Sequence, residues 1–220
     1  MPFATGRPFS RLTVILILLT GVTGVVEAAS FLGLGRVFTA VMTGNILFFG
    51  FGLVDHAVPV AGPAVALAAF AVGALVGHRV NGVLSARKGE RWLAFAVFGE
   101  GALLLVAAML AFGLLSGSSH QPAHRLVVIV VLALAMGSRN ATVLRVAAHD
   151  LPTTVVTRSL AGLLMLPGRE TAGRRFATVA ATFVGAVIGA LLLKLHPGVP
   201  LLAASAVEIT VGALCPRVRP

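Results

Sequence analysis

Six apolar stretches, each about as long as a membrane-spanning helix, dominate this 220-residue chain. An α-helix needs about 20 consecutive apolar residues to cross the hydrocarbon core of a bilayer. The stretches cover residues 12–34, 62–84, 92–115, 126–144, 176–195 and 199–214. They predict an all-α polytopic membrane protein in which residues 1–220 form a single membrane domain.

The charge composition excludes an ordinary soluble domain. Only 11% of the residues are charged and 58% are hydrophobic, whereas a soluble domain carries roughly 25% charged residues. The net charge of +10 would suggest a nucleic-acid partner in a soluble protein. Here most basic residues lie in short loops and tails, where they orient spans and meet anionic lipid. We therefore expect a lipid bilayer as a partner and no nucleic acid.

Two further apolar segments, at about 37–54 and 153–166, are shorter or interrupted. Each opens with β-branched, Thr-rich sequence, which favours an extended chain. Each then passes a small polar cluster of the residue types that cap helices and continues as an apolar helix. We predict an extended stretch that turns into a half-helix in both places. Whether these segments cross or re-enter the membrane stays open.

Both short segments belong to an internal repeat. Three motifs recur in order at offsets of 113, 114 and 112 residues: Gly24-x-x-Glu27-Ala28 with Gly137-x-x-Asn140-Ala141, Val41-Met42-Thr43 with Val155-Val156-Thr157, and the run 72–77 with 184–189. Three ordered matches at nearly one offset indicate a duplication. Repeat one then covers about 12–115 and repeat two about 126–214.

The distribution of Lys and Arg predicts how the repeats are oriented. The positive-inside rule places on the cytoplasmic side the basic clusters formed by Arg7, Arg11, Arg87, Lys88, Arg91, Arg169, Arg174, Arg175, Arg217 and Arg219. The loop 116–124 has no Lys or Arg and fits outside. Six crossing helices and two re-entrant half-helices satisfy this pattern and make the repeat inverted, with both termini inside. The alternative is eight spans and a parallel repeat.

The two half-helix N-termini are the main candidates for a binding site. Under inversion they would point toward each other near the midplane, where unpaired N–H groups carry partial positive charge. Transporters with broken helices hold anionic or polar solutes at such ends. The site would be lined by Thr43, Gly44 and Asn45 at the first end and by Thr157, Arg158 and Ser159 at the second. Alternatively, Thr43 and Asn45 only cap a helix.

A carboxylate deep in the first apolar stretch adds a charge to this candidate site. Glu27 would have to be paired, protonated or exposed to water inside a membrane, and its counterpart in the second repeat is Asn140. Arg139 and Arg158 are both candidate partners for Glu27. Glu27 would form a solute or proton site, or it would be only a member of a buried structural ion pair or a neutral carboxyl group hydrogen-bonded to the backbone; Arg139 would break the pairing if it snorkels.

Glu100 and Glu208 also correspond loosely under the repeat, at an offset of 108 residues. A shared position suggests a shared role for these two side chains. We expect them to brace the half-helices through hydrogen bonds, with a proton relay as the alternative.

The remaining motifs predict packing rather than chemistry. Gly73-x-x-x-Gly77 and Gly185-x-x-x-Gly189 allow close helix contact; their presence in both repeats favours packing inside the bundle, and a homodimer stays open. His120 and His124 have i, i+4 spacing, but Pro122 between them argues against a helical metal pair. The single cysteine cannot form a thiolate metal site alone, and the sequence has neither a Gly-rich nucleotide loop nor a Ser-His-Asp arrangement. We predict no enzyme activity, no cofactor and no metal.

One family pattern covers nearly the whole chain. Gly24-x-x-Glu27-Ala28-x-Ser30-Phe31-Leu32, then Val37-Phe38 and Met42-Thr43-Gly44-Asn45, resemble the YoaK-like family of bacterial inner-membrane proteins, a domain-of-unknown-function family. Ala135-Met136-Gly137-x-x-Asn140-Ala141 and the run 153–157 are similar to its second half. The resemblance implies about six spans and a membrane location, without an activity.

This chain departs from the family pattern at three places. It has Glu27 where the family usually has Asp, Arg139 where it usually has Gln, and Arg158-Ser159 where it usually has Gly-Asn. The last difference puts a cation where two small polar groups are expected, which would either shift the solute preference toward anions or mark a diverged member of the family.

These observations predict a small secondary transporter or channel-like facilitator for a small polar or anionic solute, bound between the two half-helix ends. The prediction rests partly on architectural analogy. The competing prediction is a non-transporting membrane protein that acts in assembly or interacts with lipid.

Overall fold

The fold is entirely helical over residues 11–113, 122–146 and 169–215, the part of the chain that this computed structural model describes. Its α-helices are α1 (Arg11–Gly33), α2 (Met42–Val54), α3 (Ala61–Lys88), α4 (Trp92–Gly113), α5 (Pro122–Val146), α6 (Arg169–Leu193) and α7 (Gly198–Leu214). A 3-10 turn, Gly89–Arg91, joins α3 to α4. Helices therefore form at all six predicted long segments, and α2 forms within the first short one. The second short segment, 153–166, lies outside the described residues.

Four apolar stretches of the described chain are long enough to cross a membrane: Arg11–Gly33, Ala61–Gly113, Pro122–Val146 and Ala172–Leu193. The second has 53 residues and contains both α3 and α4, on either side of the 3-10 turn. The helices α2 and α7 are apolar but shorter. Many large apolar side chains point outward, as expected where lipid rather than water covers the surface. The predicted all-α membrane fold is thus confirmed at this level.

Glycines bring α1 and α6 together along parallel axes. A Cβ atom added at Gly24 would lie 2.9 Å from the backbone nitrogen of Ala186, and one added at Gly189 would lie 2.7 Å from the carbonyl oxygen of Val25. Near the last turns, Gly33 faces Leu193. Because positions later in α1 face positions later in α6, the two helices run in the same direction.

The same kind of contact joins α3 and α5. A Cβ atom added at Gly137 would lie 2.8 Å from the backbone nitrogen of Ala74, and one at Gly77 would lie 2.7 Å from Cα of Ser138. Farther along, Asn81 donates a hydrogen bond to Thr142 over 3.0 Å. These helices are also parallel. The Gly-x-x-x-Gly motifs therefore pack inside the bundle, as predicted.

The third pair, α4 and α7, is antiparallel. Ser205 donates a hydrogen bond from Oγ to the carbonyl oxygen of Gly101 over 2.8 Å. Gly212 packs on Phe98, near the start of α4, whereas Gly198 packs on Phe112, near its end.

The six α-helices other than α2 alternate in direction along the described chain. The first residues of α1 and α4 lie together in one apolar cluster that includes Ile15, Leu19 and Trp92; we call this end of the bundle the Arg11 end. The opposite end, the Gly33 end, brings the last residue of α4, Gly113, to His124 near the start of α5. Hence α1, α4 and α6 run toward the Gly33 end, and α3, α5 and α7 run back. A core of mostly small side chains, built on residues such as Val26, Ala108 and Met136, fills the space between them.

Candidate functional site

The chain reverses direction directly after α1. Gly35 and Arg36 both have positive φ, 103° and 61°, which is the conformation that ends helices. The Arg36 N–H donates to the carbonyl oxygen of Phe31 over 3.0 Å and closes the last turn. The turn sends the following residues back into the bundle instead of away from it.

Residues 37–54, which we call the return segment, first descend along α1 without helical structure. Ser30 donates a hydrogen bond from Oγ to the carbonyl oxygen of Val37 over 2.5 Å. About one helical turn lower on α1, Glu27 accepts a hydrogen bond from the backbone N–H of Thr39. Later residues of the segment thus contact earlier residues of α1. The descent ends at Ala40, about 9 Å below the last residue of α1 at 1.5 Å per residue.

The second half of the return segment is α2, which leads back to the Gly33 end. The chain leaves α2 at Val54, turns through 55–60 and starts α3 there, where Gly62 packs on Val37. Within the bundle the segment therefore begins and ends at the same side. The half-helix predicted within 37–54 is thus confirmed as α2, and the residues before it are non-helical.

Glu27 holds the point where the descent of the return segment ends and α2 begins, which we call the tip. Its Oε1 accepts hydrogen bonds from the Thr39 N–H (2.9 Å), the Thr39 hydroxyl (2.9 Å) and the Ala40 N–H (2.6 Å). Its Oε2 is buried and has no hydrogen-bond partner among the described residues. One carboxylate oxygen thus accepts the backbone N–H groups that have no helical partner, while the other oxygen has no hydrogen-bond donor among the described residues.

Asn45 closes the tip from the other side. Its Oδ1 accepts the Phe38 N–H over 3.0 Å and its Nδ2 donates to the Phe38 carbonyl oxygen over 2.6 Å, so the side chain pairs with both backbone groups of one residue, as a neighbouring strand would. Gly44 leaves room for the Phe38 ring, which would lie 2.6 Å from an added Cβ atom. Phe38 also stacks on Phe31 with ring centroids 4.7 Å apart. The tip is a rigid unit tied to α1.

The N-terminus of α2 has no side-chain cap. Val41 occupies the N-cap position and makes no side-chain hydrogen bond to the helix, and Thr43 is exposed. The interpretation that Thr43 and Asn45 cap this helix is therefore wrong, because the Asn45 amide is used by Phe38. The helix start points into the bundle beside Glu27.

A second polar cluster lies deeper, around Arg139 of α5. Its Nε contacts Oε2 of Glu100 at 3.4 Å, and its Nη2 contacts Oε1 of Glu208. Its Nη1 donates to the carbonyl oxygen of Leu19 (3.2 Å) and to Oγ1 of Thr23 (3.0 Å). We call Arg139, Glu100 and Glu208 the Arg139 cluster; it joins α1, α4, α5 and α7.

Neutral polar groups extend the Arg139 cluster toward α3. Thr142 donates from Oγ1 to Oε1 of Glu100 over 2.7 Å, and Asn81 donates in turn to Thr142. Glu100, Asn81 and Ser138 line a groove of about 300 Å³ between α3, α4 and α5. On α1, Thr23 is one turn, about 6 Å, from Glu27, so the Arg139 cluster and the tip of the return segment occupy successive levels of the bundle.

Comparison with known proteins gives this architecture a family. The family described as "protein of unknown function (DUF1275)" matches residues 15–215. The chain belongs to it. The DUF1275 chain is also 29% identical over 163 residues to the UPF0700 transmembrane protein YoaK of Bacillus subtilis (strain 168), over 74% of this chain and 68% of the relative. No solved structure matches it.

The comparisons confirm the predicted membership of the YoaK-like family. Because the similar protein is described as transmembrane, and because the apolar helices are long enough to span, the DUF1275 chain is a multi-pass membrane protein.

The structure brings together only some of the predicted site residues. Glu27 meets Thr39 and Ala40 at the tip that carries Gly44 and Asn45. Asn140 is half-buried on α5, next in sequence to Arg139. The residues predicted for the second half-helix end, Thr157, Arg158 and Ser159, lie outside the described residues.

Two predicted pairings are wrong. Arg139 contacts Glu100 and Glu208 instead of Glu27, because its side chain points toward α4 and α7. The two glutamates therefore do not brace the described half-helix α2; they hold Arg139, and Glu27 performs the bracing. The alternative in which Arg139 snorkels is also wrong, since its side chain is 3% exposed.

Sequence reasoning missed Thr23, Thr39, Asn81 and Thr142 as members of these polar clusters. A polar side chain inside an apolar run is a weak signal, because Thr and Ser bond to their own helix, as Thr20 does to Leu16. Asn81 was the clearest available signal: an amide within an apolar helix needs a partner.

Proposed function

We propose that this protein is a small secondary transporter or channel-like facilitator for a small polar or anionic solute. The observation that carries the proposal is the tip of the return segment, where a half-helix begins beside a buried carboxylate whose Oε2 has no partner among the described residues. Irregular backbone at membrane depth is tolerated where protein or a water-filled cavity surrounds it. Broken helices of this kind form substrate sites in transporters.

Reciprocal packing supports an inverted repeat with six spans. Gly24 of the first repeat contacts Ala186 of the second, and Gly137, the counterpart of Gly24, contacts Ala74, the counterpart of Ala186. The exchanged contacts are those of a two-fold axis. Because α1 and α5 run in opposite directions, that axis would lie in the membrane plane, as in inverted-repeat transporters.

The distribution of charge supports the proposed orientation. At the Arg11 end lie Arg11, Arg87, Lys88, Arg91, Arg145, Arg174 and Arg175, whereas the Gly33 end carries Arg36, Arg125 and Lys194. By the positive-inside rule the Arg11 end faces the cytoplasm. The return segment would then enter and leave from the outer side of a bacterial inner membrane, with both chain termini inside.

A cleft at the Gly33 end offers an approach to the return segment. It has a volume of about 460 Å³ and is lined by Val37, the first residues of α3 and the start of α5. Arg125 is the charged residue of its lining. A single guanidinium at the mouth supports the preference for anionic solutes, since an otherwise apolar wall strengthens its field. The proposal contains no enzymatic step, cofactor or metal.

One observation favours a non-transporting protein instead. Oε1 of Glu27 and both polar atoms of the Asn45 side chain are used by the backbone of residues 38–40, as expected if the tip serves only to hold the fold. A protein that assembles with other membrane proteins or with lipid would need such a scaffold and no solute path.

Flux into proteoliposomes distinguishes the two functions. The panel contains small anions, amino acids and neutral polar solutes, each with and without a pH gradient. In Glu27→Gln the amide oxygen can still accept from Thr39 and Ala40 while the charge is lost. We expect flux of the transported solute to fall at least roughly tenfold, which corresponds to about 1.4 kcal/mol.

Glu90→Gln, at the 3-10 turn of the Arg11 end, is the matched control and should transport normally. Flux that survives in Glu27→Gln would keep transport but assign Glu27 to structure. If folded wild-type protein moves none of the panel, the non-transporting function is correct.

A further inference from the structure

The Arg139 cluster does not balance its charge. Two carboxylates surround one guanidinium, and the side chains of Arg139, Glu100 and Glu208 are 3%, 1% and 0% exposed. With both glutamates ionised, this cluster has a negative charge in excess. Uncompensated charge inside a membrane protein is costly. One bound proton would make the cluster neutral.

We infer that the Arg139 cluster is a proton-binding site, which takes up one exchangeable proton between Glu100 and Glu208. This inference rests on the proposed function and deepens it, because it names a coupling ion for the transporter. The proton site is separate from the tip of the return segment, where the solute is proposed to bind.

The hydrogen bonds indicate which carboxylate holds the proton. Both carboxylate oxygens of Glu100 have a hydrogen-bond donor, Thr142 for Oε1 and Arg139 for Oε2. Oε2 of Glu208 is buried and has no hydrogen-bond donor among the described residues. An ionised oxygen without a donor is the more costly of the two. The proton therefore resides on Glu208 in this arrangement.

The surrounding elements supply few other charges. From α1 and α3 the cluster receives neutral groups: the Leu19 carbonyl, Thr23 and, through Thr142, Asn81. Two more groups lie toward the Arg11 end.

Arg145 of α5 donates to Ser85 over 2.8 Å and lies over the Trp92 ring. Cys215, directly after α7, is half-buried. The carboxylates therefore face Arg139 as their principal charged neighbour in the described chain.

The groove between α3, α4 and α5 gives the proton a route. Glu100 lies in its lining with Asn81 and Ser138. A hydronium ion in this groove would transfer its proton to a carboxylate of the cluster and leave as water; release is the reverse step.

Infrared spectroscopy of the full-length protein in lipid tests the inference without any transport assay. A protonated carboxyl group has a carbonyl stretch that an ionised one lacks, and its frequency shifts in heavy water. Glu27→Gln serves as the parent protein, because Glu27 would add its own signal. Above about pH 6, exposed carboxyl groups with ordinary pKa values near 4 are ionised and do not show this carbonyl stretch.

We expect the parent to show one carboxylic-acid band above that pH, which disappears on further titration with alkali. Adding Glu208→Gln or Glu100→Gln should each abolish it, because the remaining glutamate and Arg139 form a neutral pair. Adding Glu90→Gln should leave it unchanged.

Absence of the band in the parent would overturn the inference, and so would its persistence in a folded variant that lacks either cluster glutamate. The parent measurement alone is decisive if neither of those variants folds. A band with no solute flux would keep the proton site and remove the proposed function.

Discussion

At the scale of single residues, polar side chains in this protein replace hydrogen bonds that secondary structure cannot provide. The stretch 37–40 has neither a helix nor a neighbouring strand, so its peptide groups would be unpaired within the membrane, which costs several kcal/mol each. Ser30, Glu27 and Asn45 supply the missing partners. A half-helix beside an extended chain is stable here because three side chains are committed to it.

Removing one of these side chains should destabilise the whole protein. In Asn45→Leu the N–H and the carbonyl oxygen of Phe38 lose their partners, and each orphaned buried group costs about 1–3 kcal/mol. We expect the free energy of unfolding in detergent to fall by about 2–4 kcal/mol, measured by denaturant titration with the fluorescence of Trp92, which is 1% exposed. Thr43→Val, at an exposed neighbour, is the control. Equal stability of the two variants would mean that Asn45 does not hold the tip.

The sequence shows which residues are polar inside the apolar runs, but it does not predict which of these side chains contact each other. Glu27, Arg139, Glu100 and Glu208 stand out as charges at membrane depth. Pairing Arg139 with Glu27 is equally consistent with the sequence, because both choices neutralise a charge. The rotation of α5 about its axis decides between them, and that rotation depends on glycine contacts with a helix far away in sequence.

At the scale of elements, glycine sets the distance between paired helices. The Gly-x-x-x-Gly pattern predicts close packing, and its duplication predicts packing within the bundle, both of which hold. The sequence did not predict the turn at Gly35 and Arg36 or the N-cap at Val41. Arg36 has positive φ without being a residue type that favours it, and a Val N-cap violates the usual preference, so tertiary contacts override local propensity at both ends of the extended stretch.

Two glycines of α3 allow this packing to be measured. A Cβ atom at Gly77 would lie 2.7 Å from Cα of Ser138, whereas one at Gly82 would have no atom within 4 Å. We expect Gly77→Ala to lower the free energy of unfolding by about 1–3 kcal/mol, because α3 and α5 must move apart. Gly82→Ala should raise it by up to about 1 kcal/mol through helix propensity. The same titration in detergent measures both, and similar effects in the two variants would contradict the close contact.

At the scale of the whole molecule, the alternating directions of six helices agree with the charge distribution. Each basic loop that the sequence assigns to the inside and that the structure describes lies at the Arg11 end, together with the first residues of α1. Two independent properties, packing and charge, thus support the six-span topology that we propose. The second half-helix, at 153–166, lies outside the described residues and is predicted from the sequence alone. Its counterpart in the first repeat enters and leaves the bundle at one end, which is what the inverted arrangement requires.

Labelling of single cysteines from outside the cell separates this topology from the eight-span alternative. Cys215 is the single cysteine of the chain, so Cys215→Ala gives a background in which exposed residues can be replaced one at a time. His56→Cys and Lys194→Cys lie at the Gly33 end, and Arg87→Cys lies at the Arg11 end. With six spans, a membrane-impermeant maleimide should label the first two in intact bacteria, and Arg87→Cys only after permeabilisation.

With eight spans, residues 37–54 would cross, which moves His56 inside and Arg87 outside but leaves Lys194 outside. Lys194→Cys is therefore the positive control, and labelling of Arg87→Cys in intact cells would reject the inverted repeat.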